Sequence, residues 1–288
     1  MQTHIDRAGE YLSLTQLANG SWPYRAGTMQ GYPEPTCLAL MALENRGLGN
    51  IPAGVNWLVQ QVNEEGKLFL LDDDQPNWGT PQVILVLSKL QTAGPVRQRS
   101  LDWLLEWRSN PAEASPFVTL DGSLIGWPWI SDTFGWVEPT SQAVIVLKKS
   151  GYKSHARVVE AEELLLDRSC AGGGWNVGNP IVLGRTLEGF LPPTAQTLLA
   201  LQDLDMSHPV IQKGLMFLQS ELSRIQSALS LAWGILCLDA YNLPASDFAA
   251  MLRVRQEPDG SWRQQIQWTA LAMLALQAAN GGGNVFQF

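Results

Sequence analysis

Residues 256–276 read QEPDGSWRQQIQWTALAMLAL, and this one stretch contains both halves of the pattern that decides the fold. The first half is a Gln-x3-Gly-x-Trp motif at residues 256–262. In such a motif the glycine permits a tight turn, the Trp ring can cover helix ends, and the Gln can hydrogen-bond free backbone groups at a helix terminus. The second half, residues 269–276, is an apolar run from Thr to Leu that predicts a buried helix.

The Thr-led apolar run recurs along the whole chain. Copies lie at residues 36–43, 80–87, 140–147 and 194–201, and residues 229–236 fill the fifth place without the Thr. The five steps from Thr36 to Thr269 average about 47 residues, a spacing typical of stacked helical repeats. The Gln-x3-Gly-x-Trp motif also recurs, closely at residues 16–22 and more loosely at residues 121–127 and 172–175. Repetition therefore organises the whole chain.

An amphipathic segment precedes each apolar run. Four of these segments carry an aromatic residue followed by Leu, at residues 11–12, 57–58, 103–104 and 217–218, and residues 164–165 and 251–252 are degenerate copies. Their polar residues recur at the spacing of an amphipathic helix that exposes one face to solvent. Prolines directly precede three of the Thr residues, where they suit a first helical turn. The sequence thus predicts one domain over residues 1–288, built from six helical pairs with no strand.

The six apolar helices must be covered on every side. Their amphipathic partners cover one side, and the other side needs either the neighbouring apolar helices or an apolar ligand. Closing the row into a ring meets this need, whereas an open solenoid would require polar capping repeats at both ends. Neither the first nor the last repeat is more polar than the others. The pattern therefore favours a ring, although the sequence alone does not prove closure.

The repeated loop motifs resemble the QW motifs of the squalene-cyclase and protein-prenyltransferase β-subunit superfamily. The resemblance covers essentially the whole chain and is most specific at residues 16–22 and 256–262. It implies an all-α fold, the α6/α6 toroid of six helical hairpins, with an apolar central cavity that holds an isoprenoid in relatives. We therefore expect an apolar small molecule, an isoprenoid-like lipid, as the partner of this chain.

The charge of the chain excludes one class of partner. Formal net charge is −8, only 16% of residues are charged, and no basic run occurs, which argues against nucleic acid. Three scattered cysteines indicate neither a disulfide framework nor a cysteine zinc site, and with no signal peptide they predict a cytoplasmic location. No apolar run reaches the roughly 20 residues of a membrane span. Peripheral membrane contact and the oligomeric state stay open.

The catalytic signatures of the superfamily are absent. Class II terpene cyclases have an Asp-x-Asp-Asp-Thr box, but the equivalent places here read YPEPT at residues 32–36 and WVEPT at residues 136–140. The acidic triplet at residues 72–74 lacks the spacing and is typical of a solvated turn. Prenyltransferases hold zinc with an Asp-x-Cys pair and a His, and the nearest match, Asp167 and Cys170, is one residue too long. We expect no metal and no cofactor.

Glu34 and Glu138 are the strongest candidates for a catalytic acid. Each lies two residues before the Thr of an apolar run. Apolar neighbours can raise the pKa of such a carboxyl and so allow general-acid chemistry. The alternative is helix capping, in which the carboxylate faces the free N–H groups of the helix start and its pKa falls. Capping suits a motif that repeats at two non-equivalent places. Asp132 is a weaker third candidate.

Two long segments, residues 110–138 and 170–193, are rich in Trp, Gly and Pro, and loops of this length are often functional. We expect both at the end where the apolar helices begin. The predicted cavity lining is Trp78, Trp127, Trp129, Trp136, Trp175 and Asn176. The alternative is packing of the loops against the helices, which the motif favours for Trp22, Trp175 and Trp262.

Three functions remain open at this point. The first is an isoprenoid-binding toroid, with turnover of the lipid unproven. The second is an active class II terpene-cyclase-like enzyme with a Glu as general acid. The third is a non-catalytic scaffold that holds an apolar segment of a protein partner, or a toroid filled by its own side chains.

Overall fold

The structure is a computed structural model that describes residues 1–69, 78–112 and 120–288. Twelve α-helices lie in these residues: α1 Gln2–Leu14, α2 Pro33–Leu43, α3 Ile51–Gln60, α4 Thr80–Lys89, α5 Gly94–Glu106, α6 Val137–Lys149, α7 Ala156–Asp167, α8 Leu191–Ala200, α9 Pro209–Leu222, α10 Ala228–Ala240, α11 Ser246–Val254 and α12 Ile266–Ala278. The even-numbered helices are the apolar runs, and they are almost wholly buried. The helical pairs are therefore as predicted. The acidic triplet at residues 72–74 lies outside the described residues.

One short hairpin departs from the expectation that the chain has no strand. Strands β1 (Ile181–Val182) and β2 (Arg185–Thr186) pair antiparallel within the second long segment. The two residues between them, Leu183 and Gly184, have φ of 49° and 73°. Two consecutive positive φ values are the requirement of the tight hairpin turn whose twist matches that of the strands. The sequence gives little warning, because Leu rarely adopts this conformation.

The chain divides into two compact units. The first comprises Met1–Trp103 and Gln226–Val285, and the second comprises Leu104–Ile225 and Phe286–Phe288. In the first unit, α12 packs against α1, α2 and α10, so the last helical pair lies directly on the first. In the second unit, α6 packs against α7 and α8, and α8 packs against α9. A single domain over residues 1–288 stays a prediction.

A buried Trp joins the two helices of a pair in four repeats. Its indole N–H donates to a Leu carbonyl in the last turn of the odd-numbered helix: Trp22 to Leu12 (2.7 Å), Trp127 to Leu104 (2.9 Å), Trp175 to Leu165 (2.5 Å) and Trp262 to Leu252 (2.9 Å). Its backbone N–H donates to the Thr hydroxyl of the next helix: Thr36 (2.9 Å), Thr140 (2.9 Å), Thr194 (2.8 Å) and Thr269 (3.1 Å). The Thr recurs because its side-chain hydroxyl supplies an acceptor that the Trp needs, whereas the acceptor at each Leu is its backbone carbonyl.

The last repeat is attached to the first helix by the loop motif at residues 256–262. Nε2 of Gln256 donates to the carbonyls of Gly260 (2.9 Å) and His4 (2.8 Å), as expected of a Gln that bonds free backbone groups. Gly260 has a φ of +94°, and a Cβ there would lie 2.4 Å from the carbonyl oxygen of Arg7 in α1. Only glycine fits this position, so the contact between the last and first pairs is specific.

Arg157 of α7 holds the loop that leads to Glu138. Its side chain is buried, and its guanidinium donates to the carbonyls of Trp107 (3.2 Å), Ile125 (3.1 Å) and Gly126 (3.1 Å). The same group lies 4.3 Å from the ring centroid of Trp127, a cation–π geometry. Three carbonyls on one cation fix the loop in place, which positions the start of α6.

Candidate functional site

Glu138 lies in the first turn of α6 and is half-buried. It is the second residue of the helix, and the residue before the helix is Trp136, which makes no side-chain cap hydrogen bond. Oε1 of Glu138 accepts a 2.9 Å hydrogen bond from Nε2 of Gln196, a buried residue of α8. Within the described residues, no hydrogen bond to Oε2 of Glu138 is found. One oxygen of the carboxyl is thus held and the other is available.

Burial raises the pKa of the Glu138 carboxyl above its ordinary value, and the hydrogen bond from Gln196 opposes part of that rise. A capping carboxylate would have a lowered pKa, because the helix dipole and the free N–H groups favour the anion. The direction of the shift at Glu138 is therefore that of a buried acid rather than that of a cap.

A polar layer surrounds this hydrogen bond between α6 and α8. Nε2 of Gln142 donates to Oε1 of Gln196 over 3.0 Å. One residue along each helix, the hydroxyls of Ser141 and Thr197 are 3.1 Å apart and both are buried. Such a layer is unexpected in helices that are otherwise apolar, since buried polar groups cost free energy unless they are paired. Here the polar groups pair with one another.

Glu34 has the same position in the first unit but a different environment. It is the second residue of α2, which begins directly after Tyr32, and its Oε1 accepts from Nε2 of Gln82 in α4 (3.4 Å). The hydroxyl of Tyr24 donates to its Oε2 over 2.8 Å. Burial raises the pKa of Tyr24, and the charge of Glu34 adds to the rise. Both oxygens of Glu34 therefore act as hydrogen-bond acceptors.

The two carboxyl groups share one rule of placement. Each Glu lies two residues before a Thr and accepts from a Gln two residues after the Thr of the next apolar helix. Both Glu residues are predicted from the sequence, whereas their partners Gln82 and Gln196 are not. A signal was present, because a Gln two residues after the Thr interrupts the apolar run.

The six residues predicted to line a cavity, five Trp and one Asn, fall into two groups. Trp127, Trp175 and Asn176 are 0%, 0% and 2% exposed. Their polar groups serve loop packing: the two indoles bond helix carbonyls, and Oδ1 of Asn176 accepts from the backbone of Gly178 (2.9 Å). We propose no ligand contact for these three. Trp78, Trp129 and Trp136 are half-buried.

Asp132 is exposed and lies in a separate cleft. The cleft measures about 500 Å³ and is lined by Asp132, Asn110, Arg168, Phe134 and further residues of the two long segments. Asp132 has a φ of +64°, and its carbonyl accepts from Nδ2 of Asn110 (2.9 Å). Nothing in the described residues joins Asp132 to Glu138, so the structure does not bring these two candidates together.

Exposed apolar side chains concentrate on the two long segments. Half of the large apolar side chains that are exposed in the described residues belong to them: Ile130, Phe134, Val177, Val182, Leu183, Leu187 and Phe190. Phe190 directly precedes α8, and the ring of Phe134 lies 4.5 Å from that of Trp136, which directly precedes α6. The N-terminal ends of α6 and α8 are thus flanked by aromatic groups, which suits an apolar ligand.

Metal ligands and membrane spans were sought in the same described residues. No three His, Cys, Asp or Glu side chains come together there as metal ligands. No helix in this part of the chain is long and apolar enough to cross a membrane.

Similar proteins are found by structure only. No protein-family model and no curated protein matches the chain. A protein from Actinoplanes is similar with a TM-score of 0.68 and 14% identity, over 97% of this chain and 99% of that one. A type II terpene cyclase from Scytonema, MstE, in complex with its substrate geranylgeranyl dihydroxybenzoate, gives a TM-score of 0.65 and 13% identity over 98% of both chains.

A third similarity shows that the same fold serves other proteins. An Escherichia coli alpha-2-macroglobulin fragment is similar with a TM-score of 0.53 and 15% identity, over 95% of this chain and 42% of that one. Fold likeness at these identities therefore does not carry function. The chain has the all-α fold of these solved structures, which include a type II terpene cyclase, as the sequence predicts.

Proposed function

We propose that the protein binds an isoprenoid or similar apolar lipid at the N-terminal ends of α6 and α8. The observation that carries the proposal is the concentration of exposed apolar side chains on the two long segments that flank these helix ends. The Scytonema cyclase supports it, since that protein is known with a geranylgeranyl substrate and with its product merosterolic acid A. The likeness in fold alone would not support the proposal.

A second candidate function is favoured by the state of Glu138. Its raised pKa keeps a proton on the carboxyl at higher pH, and its Oε2 is available to a ligand. In an acid-initiated cyclisation, the O–H bond of the carboxyl breaks while the π electrons of an alkene form a C–H bond, which leaves a carbocation. Water then takes a proton from the cyclised cation, which forms a C=C bond, and the Glu138 carboxylate takes up a proton from solvent to restore the acid. Glu138 is the residue we propose as the acid, and Glu34 is not.

The location and contacts of the protein follow from the same proposal. Cys37, Cys170 and Cys237 are all free thiols and buried, which supports a cytoplasmic location. The exposed apolar side chains of the hairpin at residues 181–186 would suit peripheral contact with a membrane that supplies the lipid. We propose no metal and no cofactor.

Native mass spectrometry with lipid extraction tests the binding proposal. Purified protein is expected to carry an apolar lipid, and protein that carries none after expression with polyprenyl precursors overturns the proposal. Incubation with geranylgeranyl substrates then tests turnover, with E138Q as the key variant and E34Q as its matched control. Turnover that E138Q abolishes and E34Q retains supports the acid. Bound lipid with no turnover supports a carrier, and neither lipid nor turnover favours the protein-interaction scaffold.

A further inference from the structure

Gln142, Gln196 and Glu138 form a chain of two hydrogen bonds that run in the same direction. Gln142 donates to Oε1 of Gln196 (3.0 Å), and Gln196 donates from Nε2 to Oε1 of Glu138 (2.9 Å). A Gln side chain has one acceptor oxygen and one donor nitrogen, so the amide can satisfy two different neighbours only in one orientation. Because Gln142 occupies the oxygen of Gln196, the nitrogen of Gln196 must face Glu138.

This orientation decides where a proton can sit on the carboxyl. In a protonated carboxyl the carbonyl oxygen is a better acceptor than the hydroxyl oxygen. Because Oε1 of Glu138 accepts from Gln196, Oε1 is the carbonyl oxygen of the neutral acid and the proton is on Oε2. If the side-chain amide of Gln196 rotated by about 180°, its oxygen would face Glu138 and accept a hydrogen bond from the protonated carboxyl.

We propose that Gln142 and Gln196 are positioning residues that keep the proton of Glu138 on Oε2, the oxygen available to a ligand. The inference rests on the proposed role of Glu138 as an acid. Gln142 donates to the oxygen of Gln196, and it acts on Glu138 by fixing the orientation of that amide. It is thus distinct from a residue that contacts the substrate.

Charged groups do not offer an alternative explanation in the described residues. In the described residues, the helices with the most extensive packing against α6 are α7 and α8. Helix α8 has no titratable residue, and the charged residues of α7 are Arg157, Glu160, Glu162, Glu163 and Asp167. None of them contributes to the shift in the pKa of Glu138, whose causes are burial and the Gln196 hydrogen bond. The amide chain is therefore the polar feature that a substitution can test.

A pH titration of the folded protein tests the inference. The Glu carboxyl carbons are labelled with ¹³C and followed by NMR, and the Glu138 signal is identified by its loss in E138Q. In Q196M the pKa of Glu138 is expected to rise by about one unit, because the anion loses a donor. In Q142M it is expected to rise as well, because the freed amide of Gln196 can turn and hold the proton. Met is close to Gln in volume and is unbranched, so both variants should fold.

Two control variants separate orientation from general packing. T197V removes the neighbouring hydroxyl pair of the same polar layer, and Q82M removes the equivalent Gln beside Glu34. Both are expected to leave the pKa of Glu138 unchanged. The inference is overturned if Q142M does not move this pKa, or if T197V moves it as far as Q142M does.

The outcome is distinguishable from failure of the proposed function, because the titration needs no ligand. If the pKa of Glu138 shifts in Q142M and Q196M but no lipid or turnover is found, the positioning role stands and the proposed function is wrong. If turnover is found but the pKa of Glu138 does not shift in Q142M, the positioning role is wrong and the proposed function stands. Where turnover is found, the pH profile of kcat should move with the pKa in Q142M, which a merely structural role would not cause.

Discussion

Nε2 of Gln196 donates a 2.9 Å hydrogen bond to Oε1 of Glu138, although the two residues are 58 positions apart in the chain. The bond joins the second residue of α6 to the middle of α8. Burial raises the pKa of the Glu138 carboxyl despite this bond, whereas Glu34 at the equivalent place in α2 also accepts from Tyr24. Two copies of one sequence motif therefore have different hydrogen-bond partners.

The stability of the protein should depend on pH through Glu138. The folded carboxyl binds its proton more tightly than the unfolded one, so its contribution is complete below the ordinary Glu pKa and is lost as the pH rises through the raised value. E138Q has no carboxyl at this position, so it does not lose this stability as the pH rises. Its stability relative to wild type should rise between pH 4 and pH 8 by about 1.4 kcal/mol for each unit of pKa shift.

Urea unfolding at several pH values measures this difference, with E163Q on α7 as the control. A difference between E138Q and wild type that does not grow with pH would contradict a raised pKa at Glu138.

The indole N–H of Trp262 should contribute to stability through its bond to Leu252. W262F removes the indole donor of the Leu252 carbonyl, which keeps a 3.2 Å bond from the backbone N–H of Arg255, so the loss is about 0.5 to 1.5 kcal/mol in the free energy of unfolding. Trp268 lies six residues later and is only half-buried, so W268F should cost less. Chemical denaturation of both variants compares them. Equal losses in the free energy of unfolding of W262F and W268F would show that the bond to Leu252 adds nothing measurable to the stability.

Lys148 should be the most sensitive charged residue of the second unit. Its side chain is fully buried, and its Nζ lies 2.5 Å from carboxylate oxygens of both Glu162 and Asp203. Burial would raise the pKa of Asp203, but the hydrogen bonds from Lys148 and Lys153 lower it overall. K148M leaves two carboxylates near each other without their shared cation and should cost about 3 to 5 kcal/mol.

The neighbouring K149M is the control for this change, because Lys149 is exposed and its loss should cost less than about 1 kcal/mol. The deficit of K148M should shrink as the pH falls, since Asp203 then takes up a proton. A deficit that is independent of pH would argue that packing, not charge, is what K148M disturbs.

Gly260 should tolerate no side chain. Its φ of +94° disfavours other residues, and a Cβ would lie 2.4 Å from the Arg7 carbonyl oxygen. Gly281 has a φ of +77° with nothing near its Cβ position, so G281A measures the backbone strain alone, about 1 kcal/mol. G260A should exceed that loss clearly in thermal unfolding. If the two variants lose the same stability, the contact between the last loop and α1 is not tight.

Most of the fold was predictable from the sequence because each helix depends on the spacing of apolar residues that are close together in the chain. The Thr and Leu positions recur, and each pair of helices follows from its own apolar pattern. The reason for the recurrence was less accessible, since it lies in the bonds of Trp22 and its counterparts to a helix on either side. The hairpin around Leu183 was missed because its positive φ runs against the preference of that residue.

The candidate site was only half predictable. Glu138 stands out in its motif, but its partner Gln196 comes from another helix, and only the packing of α6 on α8 brings them together. Trp127 and Trp136 are nine residues apart and similar in context, yet one is wholly buried and the other half-buried. Side-chain direction in an irregular loop is set by long-range contacts such as those of Arg157, which no local pattern reveals.

The attachment of α12 to α1 and α2 has a consequence for synthesis on the ribosome. Gln256 and His4 are 252 residues apart, so the first helical pair emerges long before the segment that covers it. Until then the apolar face of α2 lacks its partner, and contacts this distant in sequence form late and slowly. The nascent first hairpin should therefore depend on chaperones, and truncation of α12 should cause the protein to aggregate.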